Sequence, residues 1–177
     1  MCTEASSRSV IPGMGAPSFL VTVPVPPGRH RVTATAFVHT YGDGRRRTFN
    51  ASASLVVSEG DRASREILRT ADGGNSREPE EMHWVSVDSG TCGFADARRL
   101  EAAMADERWD AFIDQELPRV PLPWVVDLPG GGDLVAVESG LGDGGYPVFG
   151  DYDGHGDLLA VHVNFALVTR ADLAGVD

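Results

Sequence analysis

The sequence predicts a mostly-β fold of the α+β type: an antiparallel, sandwich-like or curled sheet with one helical pair inserted. Three observations lead there. Several segments alternate apolar and polar residues with a period of two. The gaps between neighbouring strands are too short for parallel crossovers, which need a dozen residues or more. Only one block, residues 96–117, carries three- and four-residue apolar spacing.

Residues 1–17 are polar and bear Gly and Pro, so a loose leader is expected there, with one globular domain over 18–177. In "RHRVTATAFVH", Val32, Ala34, Ala36 and Val38 fall on one face and Arg31, Thr33, Thr35 and Phe37 on the other, which reads as a strand. Pro26-Pro27-Gly28 makes the turn before it, and "YGDGRRR" the turn after it, from which "TFNASASLVVS" returns. Arg65–Leu68 fits a short strand or a helical turn, and "ADGGNSREPEE" a loop. "HWVSVDSG" reads as a strand ending at Gly90. The helical block follows. Asp96 is placed to cap a first helix through Leu100, Ala103 and Met104, and Trp109, Phe112, Ile113 and Leu117 share a face of a second, stopped by Pro118. Beyond a proline-rich link come the strands "WVVDLP", "DLVAVES" and "DLLAVHVNFALV", with "YPVFGDY" between the last two.

The chain has 177 residues and a formal net charge of −11. All 15 basic residues are arginine, and their only cluster is Arg45-Arg46-Arg47. That balance argues against nucleic acid as a ligand, because binding phosphates requires a basic face. It suits a basic protein or a small cationic ligand instead. No stretch of about 18 apolar residues is present to span a membrane. No signal peptide is visible, so the expected compartment is the cytoplasm. Cys2 and Cys92 lack histidines at ligand spacing, and Cys92 reads as a small buried side chain. Neither a metal nor a cofactor is expected.

Candidate chemistry gathers in two stretches. "GLGDGG" follows a strand, as a dinucleotide loop does. The helix that should follow is replaced by the extended Tyr146-Pro147-Val148-Phe149. "DYDGHGD" mimics the first half of a calcium loop, yet the twelfth position is His162 and the flanks are strands, so a hairpin turn is the better reading. Between Arg119 and Arg170 there is no arginine. Glu138, Asp143, Asp151, Asp153 and Asp157 all lie in that interval, and their placement near strand ends predicts an acidic loop rim that binds the partner. The other stretch is "VSVDSGTCGFADA", where Asp88, Ser89, Thr91 and Cys92 sit ahead of a helix. A serine or cysteine nucleophile there would need a histidine, such as His83 or His162, brought close by the fold. Ser139 lacks the Gly-x-Ser-x-Gly context of a nucleophile elbow.

"PVPPGRHRV", "VSVDSGTCGFADA" and "SGLGDGGYPVFGDYDGHGDLLAVHVNF", in that order, resemble a bacterial family known only as a domain of unknown function. The matching positions are Pro26, Pro27 and Gly28, then Val87, Asp88, Gly90, Thr91, Phe94 and Asp96. Gly142, Asp143, Gly144, Tyr146, Pro147, Gly150, Tyr152, Asp153 and Gly156 complete the set. The resemblance implies the fold and brings no activity. The sequence departs from the family pattern at Asp151, between Gly150 and Tyr152, and at Asn164, where an acidic residue is usual.

The resulting expectation is a binding or interaction module whose acidic rim meets its partner in the manner of an immunity protein masking a toxin. The alternative is a hydrolase or metal-assisted enzyme using Asp88, Asp143, Tyr146 and Asp153, with Cys92 close by.

Overall fold

A computed structural model describes residues 7–11, 21–68, 84–87, 90–116, 124–140 and 142–165. The element order is β1 (Ser7–Ile11), β2 (Val21–Val25), β3 (Arg31–Thr40), β4 (Arg46–Val56), β5 (Ser64–Ile67), β6 (Trp84–Val87) and β7 (Thr91–Asp96). Then come α1 (Ala97–Met104), α2 (Trp109–Glu116), β8 (Trp124–Asp127), β9 (Asp133–Glu138), β10 (Gly144–Tyr152) and β11 (Leu158–Asn164). The strands form two antiparallel sheets. One runs β2-β1-β7-β9-β8; the other runs β3-β4-β11-β10-β5, with β6 also on β10.

The sheets face each other across an apolar core. Val21, Val23, Val25, Cys92, Phe94 and Val137 come from the first sheet, and Ala53, Leu55, Val148, Val161 and Val163 from the second. A second cluster covers the opposite face of the first sheet. There Leu100, Ala103 and Phe112 of the helices meet Ala95, Leu134, Ala136 and Val126. The first sheet is therefore the middle of three layers, and its central strands β7 and β9 are buried on both faces.

Gly93 makes the tightest approach in that middle layer. A Cβ there would lie 2.5 Å from the Val135 carbonyl oxygen and 3.2 Å from Ala136 Cα, so only glycine fits between β7 and β9. Asp96 caps α1, its carboxylate accepting from the Arg99 N–H at 3.0 Å. Leu100 and Ala103 turn inward as the spacing predicts, while Met104 is 37% exposed. None of the described helices is long and apolar enough to cross a membrane.

Two local expectations need correction. The leader contains β1, paired with both β2 and β7. "TCGFAD", read only as the approach to a helix, is the central strand β7. Opposite Thr35 and Ala36 the register shifts by one, from Ser52 to Asn50, so β4 carries a bulge with Ala51 as the extra residue while β3 keeps its alternation. Beyond the bulge Phe37 is half-buried against Phe49 on one face, while on the other Ala36 is exposed and Val38 is 47% exposed. The segment 69–83 and Leu117–Pro118 lie outside the described residues.

Candidate functional site

Asp143 and Tyr146 build a clasp at the start of β10. The Gly90 N–H donates to Asp143 Oδ1 at 2.8 Å, and the Ser139 N–H donates to the Gly90 carbonyl at 2.8 Å. The Gly142 carbonyl accepts both the Ser139 hydroxyl and, at 2.7 Å, the Tyr146 hydroxyl. Gly90 turns with φ +65°, a conformation in which a side chain is strained. The Tyr146 ring is buried and meets Phe165 edge-on, with ring centroids 5.3 Å apart. Two of the motifs noted in the sequence meet here, Gly90 from one and Asp143 from the other. Their polar groups are engaged in fastening two loops together.

At the opposite end of β10 the turn over 153–157 closes in the same way. Asp153 Oδ1 accepts from the His155 N–H at 2.8 Å and from the Asp157 N–H at 3.0 Å. Those backbone donors, Asp157 first, hold the carboxyl below its ordinary range. Asp157 itself is exposed. The nine residues of β10 put this turn roughly 30 Å from Asp143. Asp143 and Asp153 therefore share no site, and the carboxylate rim divides into two ends, with half-buried Glu138 on the Asp143 side.

Cys92 lies in the core, 2% exposed, and burial pushes its thiol well above the range in which a thiolate forms. On β9 the apolar Val137 lies directly opposite it. Asp88 and Ser89 lie outside the described residues, as does His83.

Asp151 belongs to neither end. It sits within β10 in a row of polar side chains that crosses the outer face of the second sheet. Arg65 on β5 grips it with two hydrogen bonds, Nε to Oδ1 at 2.6 Å and Nη2 to Oδ2 at 2.8 Å. His162 Nε2 on β11 lies 2.8 Å from Oδ2, and His162 Nδ1 lies 2.7 Å from the Ser54 hydroxyl on β4. Arg62 adds a longer contact at 3.7 Å. Burial works to raise the Asp151 pKa, but the hydrogen bonds from Arg65 and His162 outweigh it and hold the carboxyl below its ordinary value. Burial moves the His162 pKa the other way, downward, against the pull of Asp151. The imidazole is thus neutral at neutral pH. An ionised carboxylate only accepts, so Nε2 carries the ring proton and Nδ1 accepts from Ser54.

Sequence reasoning missed this Ser54–His162–Asp151–Arg65 row. Its chemistry has a clear limit. The Ser54 hydroxyl is polarised by a neutral base, as in a triad. Ser54 also lies within a strand paired on both sides, by Thr33 of β3 and His162 of β11, where the ladders take up the backbone N–H groups an oxyanion hole would need.

Between the two sheets a cleft of about 340 Å³ opens beside the β2–β3 turn. Val25, Val32, Leu55, Phe94, Val125 and Val135 form its apolar lining, with Arg29, His30, Asp96 and Asp133 also on its walls. Charges of both signs there give no preference for a cation. Among the described residues no group of three or more His, Cys, Asp or Glu side chains is arranged to hold a metal ion.

No curated protein and no solved structure matches the chain. A family model described as Protein of unknown function (DUF4241) matches residues 15–163, and the chain belongs to that family.

Proposed function

We propose that this member of a family without an assigned activity is a bacterial, cytoplasmic binding module. Its exposed carboxylates engage a basic protein, or a smaller cationic ligand, in the manner of an immunity protein covering a toxin. One observation carries the reading: the groups best suited to chemistry are already held in structural roles. Cys92 is in the core, Tyr146 is bonded to Gly142, Asp143 to Gly90, and Asp151 to Arg65. What remains outward is charge, −11 over the chain, part of it on the turn 153–157, where two backbone N–H groups fix the Asp153 carboxylate. Rigid charges on a surface steer an oppositely charged partner and select it.

The test is capture on immobilised protein from a lysate of the source cells, at low and then high salt. A basic protein retained at low salt and released at high salt supports the reading; absence of any salt-sensitive partner removes it. The single variants Glu138→Gln and Asp157→Asn, at opposite ends of β10, report which end is used, since neither removes a carboxylate that caps a turn. The rival reading, a hydrolase, draws support from the Ser54–His162–Asp151 row and requires that Ser54→Ala abolish turnover.

A further inference from the structure

The one cluster of arginines sits on a ribbon that leaves the body of the fold. β11 pairs with β4 only over Ser52–Val56, whereas β3 and β4 stay paired out to Thr40 and Arg46. From Ala36 to Thr48 nearly every residue is exposed. On one face of this ribbon, residues directly opposite or two apart bring together Phe37, His39, Tyr41, Arg45, Arg47 and Phe49. Phe37 stacks on Phe49 at 5.5 Å, and His39 meets Tyr41 edge-on at 4.6 Å. The Arg45 guanidinium lies 5.4 Å from the Tyr41 ring centre, with its Nε bonded to Asp43 at 2.6 Å and its Nη groups left to meet a further anion, and that of Arg47 lies 4.8 Å from Phe49. Rings beneath the guanidiniums fix their planes, so less ordering is needed to meet an anion.

The same ribbon carries an unusual sheet edge. β3 is ten residues long and, among the described strands, has a neighbour on one side only. The other edges among the described strands are guarded by shortness or composition: β5, β6 and β8 have four residues each, and β2 has five with Pro24 among them. β3 has only Arg31 as a full charge and no proline, so its outer N–H and C=O groups form a template for another strand.

We propose that the β3 edge receives an extended acidic segment of a partner protein, which adds as a strand and lays its carboxylates on Arg45 and Arg47. This surface is separate from the acidic turns. The net charge of the body does not forbid it: five residues of ribbon reach roughly 16 Å at about 3.3 Å each, beyond the ~8 Å over which charges are felt in physiological salt. A long nucleic acid would track past the ribbon onto the acidic body and is disfavoured for that reason.

The test is fluorescence anisotropy of the full chain with a labelled synthetic peptide that alternates Glu and Val. The comparison probes are the same peptide N-methylated at alternate amides along one edge, and a single-stranded DNA oligonucleotide. The peptide is expected to bind more tightly at low salt, and N-methylation to weaken binding about tenfold by removing the strand pairing. Arg45→Gln with Arg47→Gln is expected to weaken it by about tenfold as well, while Arg46→Gln, on the opposite face, changes little. Absence of binding, equal binding of the N-methylated peptide, or equal effects of Arg46→Gln and the double variant would overturn the proposal. So would tighter binding of the oligonucleotide, or self-association in sedimentation that the double variant abolishes, which would make the occupant a second copy.

Discussion

His162 has Asp151 on one ring nitrogen and Ser54 on the other, with the Arg65 and Arg62 guanidiniums nearby. Its folded pKa lies below the ordinary 6.5, chiefly through burial. The unfolded chain therefore binds a proton at this residue more readily than the folded one. Stability from this source is complete above 6.5 and falls as pH drops toward the folded pKa. Asp151 acts in the same direction lower down. Its folded pKa lies below 3.8, so its contribution is present above 3.8 and is lost as pH falls through the folded value. The expected outcome is a urea midpoint that declines between about pH 7 and pH 5, with the decline flattened in His162→Gln. An identical slope in the variant would show that His162 is not the group responsible.

Among the elements, the β7–β9 pair is the least tolerant of change. Gly93→Ala puts a methyl group against the Val135 carbonyl and the Ala136 backbone, neither of which can rotate away. The expected loss is about 2 kcal/mol of unfolding free energy, measured by urea denaturation; an unchanged midpoint would mean the strands separate without cost. Gly93 also explains why β7 was illegible in the sequence. Cys92 and Phe94 face one core and Ala95 the other, so "TCGFAD" shows no polar alternation, and a glycine in its middle reads as a breaker. β1 escaped for a different reason: "SRSVI" has a weak local pattern, and its partners Val21–Val25 and Ala95–Asp96 are set by long-range pairing. The capped helix at Asp96 and the turns at Gly44 and Gly156 were legible because their signals are local. The bulge at Ala51 of β4 was not, since nothing nearby marks it and it is defined only by the pairing with Thr35 and Ala36 of β3.

Across the whole molecule the same division holds. Hairpin turns and a buried Cys92 could be read from neighbouring residues. The row Ser54–His162–Asp151 joins positions 108 and 11 residues apart, and only the strand order β4-β11-β10 brings them together. That row ties three strands across one face, as the Asp143–Gly90 clasp ties two loops. Reaction of the native chain with a fluorophosphonate, mapped by mass spectrometry, tests this account most directly. Ser54 is expected to remain unmodified, because its polarised hydroxyl has no oxyanion donors beside it. A stoichiometric adduct on Ser54 that disappears in His162→Gln would contradict the account and make the row a catalytic centre.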